Sequence, residues 1–163
     1  MKRFLILFAV VANLVLADAV TKELAAGYLR GSAAVSIIPG IFNLAYVENR
    51  GCAWGMFQGQ VWPLAVFGLV ALAFLIWKRK SVFSSSTSTS SRHLAAVAEP
   101  MLYAGIVGNV IDRLFRGYVI DMFDFHWGVR HFPCFNVADS LICIAVGLLL
   151  LASLFEGRKT QAR

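Results

Sequence analysis

Charge is scarce in this chain of 163 residues. Nine residues are Asp or Glu and 15 are Lys or Arg, while 59% are hydrophobic and the mean hydropathy is +0.71. A soluble domain is about 45–50% apolar, so this is a single domain solvated largely by lipid. The net charge of +6 does not point to nucleic acid, because the basic residues sit beside apolar runs, as membrane orientation requires. Cysteines are few and odd in number: Cys52, Cys134 and Cys143. With no CxxC spacing they indicate neither a disulfide framework nor a zinc site, and whether Cys52 and Cys134 pair stays open. No serine stands in a nucleophile motif with a histidine, and Ser140 has no evident base. His126 and His131 lack a third strong ligand at metal spacing. The chain has no phosphate-binding glycine loop and no internal repeat. No metal and no cofactor is expected.

Four apolar runs are present, at about 4–24, 61–77, 94–116 and 137–155. The first follows Lys2 and Arg3 and reaches a small-residue Ala17-Asp18-Ala19 end, the pattern of a secretory signal peptide. Against that reading, the run continues through Val20 to Leu24, long enough to span a bilayer, and the rest of the chain is itself membrane-like. The second run starts near Pro63 and stops at Lys78-Arg79-Lys80. The Ser/Thr-rich segment 81–92 has no means of building a core and is expected to be a flexible loop. Gly105 and Gly108 permit close helix packing in the third run, and a basic tail, EGRKTQAR, follows the fourth.

The positive-inside rule places both termini and the 78–92 segment in the cytoplasm. The polar motifs then all fall on the outer side: Asp18 and Lys22, the stretch ENRGCAWGMFQG, Asn109 to Arg116, and Asn136 with Asp139. Ile41 to Val47 reads as a short strand, and Trp54, Phe57 and Trp62 suit a membrane interface. Asn49 is either part of a plain interfacial turn or a donor and acceptor facing a ligand.

Carboxylates beside membrane-length apolar runs call for a function. Asp18, Thr21 and Lys22 share a helix face, and a local Asp18–Lys22 pair explains them. Asp112 has Arg116 four residues on, and Asn109 has Arg113. Asn136 and Asp139 are spaced as a helix cap and its third residue, so capping and chemistry both fit. Asp121 and Asp124 fall on the connection GYVIDMFDFHWG, read as a loop. Folded back over the membrane, that loop brings Asp121 against Asp139. Two close carboxylates in a dry site share a proton and can activate water for amide hydrolysis. The rival readings are a small proton- or ion-coupled carrier using the same carboxylates and a membrane scaffold for which they are dispensable.

The motifs DAVTK at 18–22, NRGCAWG at 49–55, GNVIDR at 108–113, VIDMFDF at 119–125 and FNVADS at 135–140 resemble, in order and spacing, those of bacterial lipoprotein signal peptidase (signal peptidase II). The resemblance covers nearly the whole chain. It implies an all-α integral protein of the inner membrane with four transmembrane helices and a small β-cradle and interfacial helix on the outer side. It implies an aspartic endopeptidase, acting with membrane lipid around it, that cuts diacylglyceryl-modified prolipoproteins before the lipidated cysteine. It implies inhibition by globomycin, and a monomer with no nucleic acid partner is expected. By the same resemblance Asp121 and Asp139 match the catalytic pair. Asn49, Gly51, Asn109, Arg113 and Asn136 match site residues, Asp18 and Lys22 the first motif, and Asp112 a structural acid. Ala19 stands where the family usually has Gln, and Cys52 with Trp54 varies the Asn-Gly loop.

Overall fold

The structure, a computed structural model, describes residues 2–83 and 88–161; residues 84–87 of the Ser/Thr-rich segment and the side chains of the basic tail from 157 onward lie outside the described residues. The elements in order are α1 (Lys2–Leu29), β1 (Val35–Ile38), β2 (Phe42–Asn49), α2 (Val61–Trp77), α3 (Arg79–Phe83), α4 (Thr89–Phe115), β3 (Val119–Trp127), β4 (Arg130–His131) and α5 (Val137–Gln161). Three helical stretches are long and apolar enough to cross a membrane: Lys2–Leu29, Thr89–Phe115 and Val137–Glu156. α2 is equally apolar but 17 residues long. The chain is a multi-pass membrane protein.

The helices are inside-out by the standards of a soluble bundle. α1 buries only Asp18, Lys22 and Ala25, while Phe4, Leu5, Phe8 and Leu16 face outward. Lipid solvates the apolar side chains there, so the polar ones must find partners within the protein. α4 is the axis. It packs antiparallel along α5, with Ser91 Oγ donating to Ala152 O at one end and Asn109 Nδ2 reaching Asp139 at the other. Small residues allow this contact: a Cβ on Gly105 would lie 2.5 Å from the Ala138 carbonyl oxygen. An apolar core of Phe83, Ala95, Ala98, Leu102, Tyr103 and Ala145 joins α3, α4 and α5. There a buried Glu99 is held by Arg79 through two guanidinium contacts.

At the other end the four strands form one antiparallel ribbon in the order β1-β2-β3-β4. The expected 41–47 strand is β2. Three expectations need correction. Asp121 and Asp124 lie on β3, not on a loop: the alternation of bulky and polar residues in VIDMFDFHW pairs with β2, Val47 opposite Asp121 and Asn43 opposite Asp124. Of the supposed flexible loop 81–92, residues up to Phe83 and from Thr89 onward are helical, and Phe83 and Ser91 are buried. In place of an interfacial helix at the sheet end, the described residues between β2 and α2 contain a 3-10 turn at Ala53–Gly55.

Candidate active site

Five elements, α1, β2, α4, β3 and α5, deliver polar side chains to one point where the sheet meets the helices. Asp121, 1% exposed, comes from the middle of β3. Its Oδ2 accepts from Asn49 Nδ2 at 2.9 Å and its Oδ1 from Asn136 Nδ2 at 2.7 Å. Asp139, half-buried in the first turn of α5, accepts from Asn109 Nδ2 at 2.7 Å through Oδ1. Its Oδ2 accepts the Asn136 amide at 3.2 Å, and its own amide donates to Asn136 Oδ1 at 2.9 Å. That reciprocal pair is a capping box, so the capping role of Asn136 and Asp139 is present. It does not use up Asp139, whose other oxygen faces Asn109. Nor does it use up Asn136, whose amide nitrogen reaches Asp121 and, at 3.2 Å, Asn109 Oδ1. Asn136 therefore ties the two carboxylates together while fixing the start of the helix that carries one of them.

The support lies behind Asn109. Lys22, 1% exposed, pairs with Asp18 at 2.7 Å and Asp112 at 2.8 Å and donates to Asn109 Oδ1 at 3.3 Å. Asp18 also accepts the Ala138 amide at 2.8 Å, satisfying a second orphan donor of α5. The Asp18–Lys22 pair is thus not merely local: it anchors the start of α5. Asp112 bonds Arg116 Nε at 3.0 Å, as its spacing predicts, and Arg116 also holds Glu23. Asn109 and Arg113 meet differently from the expected side-chain pair. Arg113 Nη1 donates to the Asn109 backbone carbonyl at 3.2 Å, and Nη2 to Gly51 O at 2.9 Å.

The second bond of Arg113 fastens the turn after β2. Asn49 Oδ1 accepts the Gly51 amide at 2.9 Å, so this asparagine forms the turn while its Nδ2 donates to Asp121. Gly51 is buried, and a Cβ there would run into the Met56 carbonyl oxygen. Beyond it, Trp54 and Phe57 each adopt a positive φ of 56°, a region bulky residues seldom occupy, and both rings stand exposed.

Asp121 is the outlier among the carboxylates outside the helices. Burial, then the negative charge of Asp139, push its carboxyl up to about 7 against the hydrogen bonds from Asn49 and Asn136 and the pull of Lys22. Asp124 belongs elsewhere. Its Oδ2 accepts from Asn43 at 3.0 Å and its Oδ1 lies 2.7 Å from His131 Nδ1.

The two aspartates open into a cavity of about 440 Å³ walled by Asn49, Trp54, Asn109, Arg113, Phe132, Cys134 and Ile142 among others. An apolar groove of about 890 Å³ between α2 and α4 meets it at Asn109, Arg113 and Ile142. Cys52, Cys134 and Cys143 are all unpaired and all line the first cavity. Sequence reasoning missed the wall formed by Phe132 to Phe135. It folds back along β3, where the Met122 and Phe123 amides both donate to Phe135 O, and no local pattern announces it. Among the described residues no group of three or more His, Cys, Asp or Glu side chains is arranged to hold a metal.

Residues 10–155 match the family model described as signal peptidase (SPase) II. The chain belongs to the signal peptidase II family. It is therefore a peptidase. Proteins named lipoprotein signal peptidase are similar along almost their full length. That of Syntrophotalea carbinolica is 36% identical, with 98% of each chain covered, and that of Symbiobacterium thermophilum is 38% identical, covering 96% of this chain and 98% of the relative. A bacterial membrane enzyme solved by the in meso method at 2.3 Å resolution superposes with a TM-score of 0.78 at 29% identity, covering 93% of this chain and 88% of the other. None of these similarities points to a carrier. The matched stretch runs from within α1 to within α5 and includes every residue of the polar cluster described above.

Proposed function

We propose that this chain removes the signal peptide from diacylglyceryl-modified prolipoproteins, with Asp121 and Asp139 as the catalytic pair. The observation that carries the reading is the Asn136 bridge: one side chain joins Asp121 to the start of the helix bearing Asp139, at the wall of one cavity. A carboxyl held near neutrality beside a second carboxylate is the condition for a shared proton. The ionised partner takes a proton from water, whose oxygen attacks the carbonyl carbon before the lipidated cysteine. The protonated partner donates to the carbonyl oxygen, giving a gem-diol. As that intermediate collapses the C–N bond breaks and the cysteine nitrogen takes up a proton. The products are a signal peptide with a new carboxyl terminus and a lipoprotein with a free amino group.

Asn49, Asn109 and Asn136 orient the pair, Arg113 with Gly51 holds the turn that covers it, and Asp18, Lys22 and Asp112 hold the helices beneath. The apolar groove between α2 and α4 suits the hydrocarbon of the substrate. The chain acts as a monomer, spans the inner membrane four times with both termini cytoplasmic, and places the site at the outer face. The positions of the basic residues beside Lys2, Lys78 and Arg158 support that orientation. A globomycin-type cyclic peptide is expected to compete for the same cavity.

The test is direct. Purified protein is incubated with a diacylglyceryl-modified precursor, and the products are weighed by mass spectrometry. Cleavage one bond before the lipidated cysteine supports the reading. A folded protein that leaves the precursor intact, or that cuts elsewhere, contradicts it.

A further inference from the structure

A second cavity, of about 520 Å³, adjoins the catalytic one. The two share Asn49, Trp54, Asp121, Phe132 and Cys134 among others, so they adjoin with Asp121 in the common wall. Its lining is of a different character. Glu48, Gln58, Asp124 and His131 face into it, and no Lys or Arg among the described residues lines it. The catalytic cavity and the apolar groove, by contrast, both contain Arg113.

A lipoprotein precursor has three chemically distinct parts around the bond that is cut. The signal peptide is apolar, the lipid hangs from the cysteine, and the polypeptide after the cysteine is water-soluble. Only the last needs a polar way out of the site. We propose that this second cavity receives the first residues after the lipidated cysteine, and that Asp124, seated by Asn43 and His131, is a specificity-determining residue favouring basic over acidic side chains there. The proposal rests on the peptidase reading given above.

The other acid of this wall is compensated from outside the cavity. Glu48 is paired by Arg30 and Arg50, neither of which lines the cavity. Asp124 has one cationisable partner, His131, whose ring is half exposed. His126 stacks on His131 with ring centroids 5.0 Å apart and does not line the space. Asp124, with no Lys or Arg among the described residues lining the cavity beside it, focuses a negative potential on what passes through this partly enclosed space. Asp124 adds to that potential without touching Asp121 or Asp139: its bonds run to Asn43 on β2 and His131 on β4.

The experiment compares three diacylglyceryl-modified precursors that differ only in the two residues after the cysteine: Lys-Lys, Ser-Ser and Glu-Glu. The wild-type kcat/KM is expected to fall in that order, with a spread of about fivefold or more at low salt that narrows as salt is raised. Asp124→Asn, which keeps the shape of the side chain and removes the charge, is expected to narrow the spread at low salt. The salt series on the unmodified enzyme gives an independent reading if the variant does not fold. A wild-type enzyme that cuts all three precursors equally, or a spread indifferent to both salt and Asp124→Asn, overturns this inference and leaves the peptidase reading intact. Failure to cut any of the three overturns the peptidase reading and the inference with it.

Discussion

Two buried polar groups lie side by side in this molecule, separated by one side chain, Asn109. On one side Lys22 sits between Asp18 and Asp112, and Arg116 completes the set. On the other side Asp121 is equally buried, but the groups bonded to it are the neutral amides of Asn49 and Asn136. The first group is electrically balanced, and balance makes it a structural anchor for α1, α4 and α5. The second carries carboxylates without a bonded cation, and burial, then the charge of Asp139, push the Asp121 carboxyl up to about 7 there. Burial alone does not distinguish the two groups. Compensation does.

Removing the cation from the balanced group is expected to have the largest effect on the fold. Lys22→Met leaves two buried carboxylates without it and should cost about 3–5 kcal/mol. A thermal midpoint in detergent equal to that of the wild type would falsify the anchoring role. Asn136→Ala strikes the bridge between the regions. It should lower activity roughly 100-fold or more by releasing Asp121 from Asp139, with a capping loss of only about 1 kcal/mol. Equal and large losses of stability and activity in this variant would show that it only starts α5.

A smaller effect is expected from pH. The folded pKa of Asp121, about 7, lies above its ordinary 3.8, so the folded protein binds more protons between those values. Its contribution to stability is full below about pH 4 and is lost as pH rises through about 7. Activity that needs the shared proton should decline over the same upper limb. The smallest effect is a shift of that limb. Asn49 favours the ionised form of Asp121, so Asn49→Ala should move the limb to higher pH. A limb that moves to lower pH, measured as kcat/KM against pH, would reverse the assigned direction.

The helices were legible from apolar length and basic flanks, because lipid imposes a simple rule on both. Asp112–Arg116 and the Asn136–Asp139 cap were legible from helix spacing. β3 was not, since VIDMFDFHW becomes a strand only through pairing with β2, a partner 70 residues away. The reach of Lys22 to Asp112 and Asn109, and of Asp18 to Ala138, was equally hidden. Local spacing showed a self-contained Asp18–Lys22 pair, and only the packing of α1 against α4 and α5 gives each residue its distant partner. The separation of Asp124 from Asp121 also required the sheet, which hands Asp124 to Asn43 and His131.

The uncompensated pair is the proposed seat of the chemistry. Its most direct test is single-turnover cleavage of a diacylglyceryl-modified precursor by purified Asp121→Asn and Asp139→Asn, each first matched to the wild type in thermal midpoint. Both variants are predicted to remain folded and to lose roughly a thousandfold or more in rate. Cleavage at the wild-type rate by either folded variant would contradict the account.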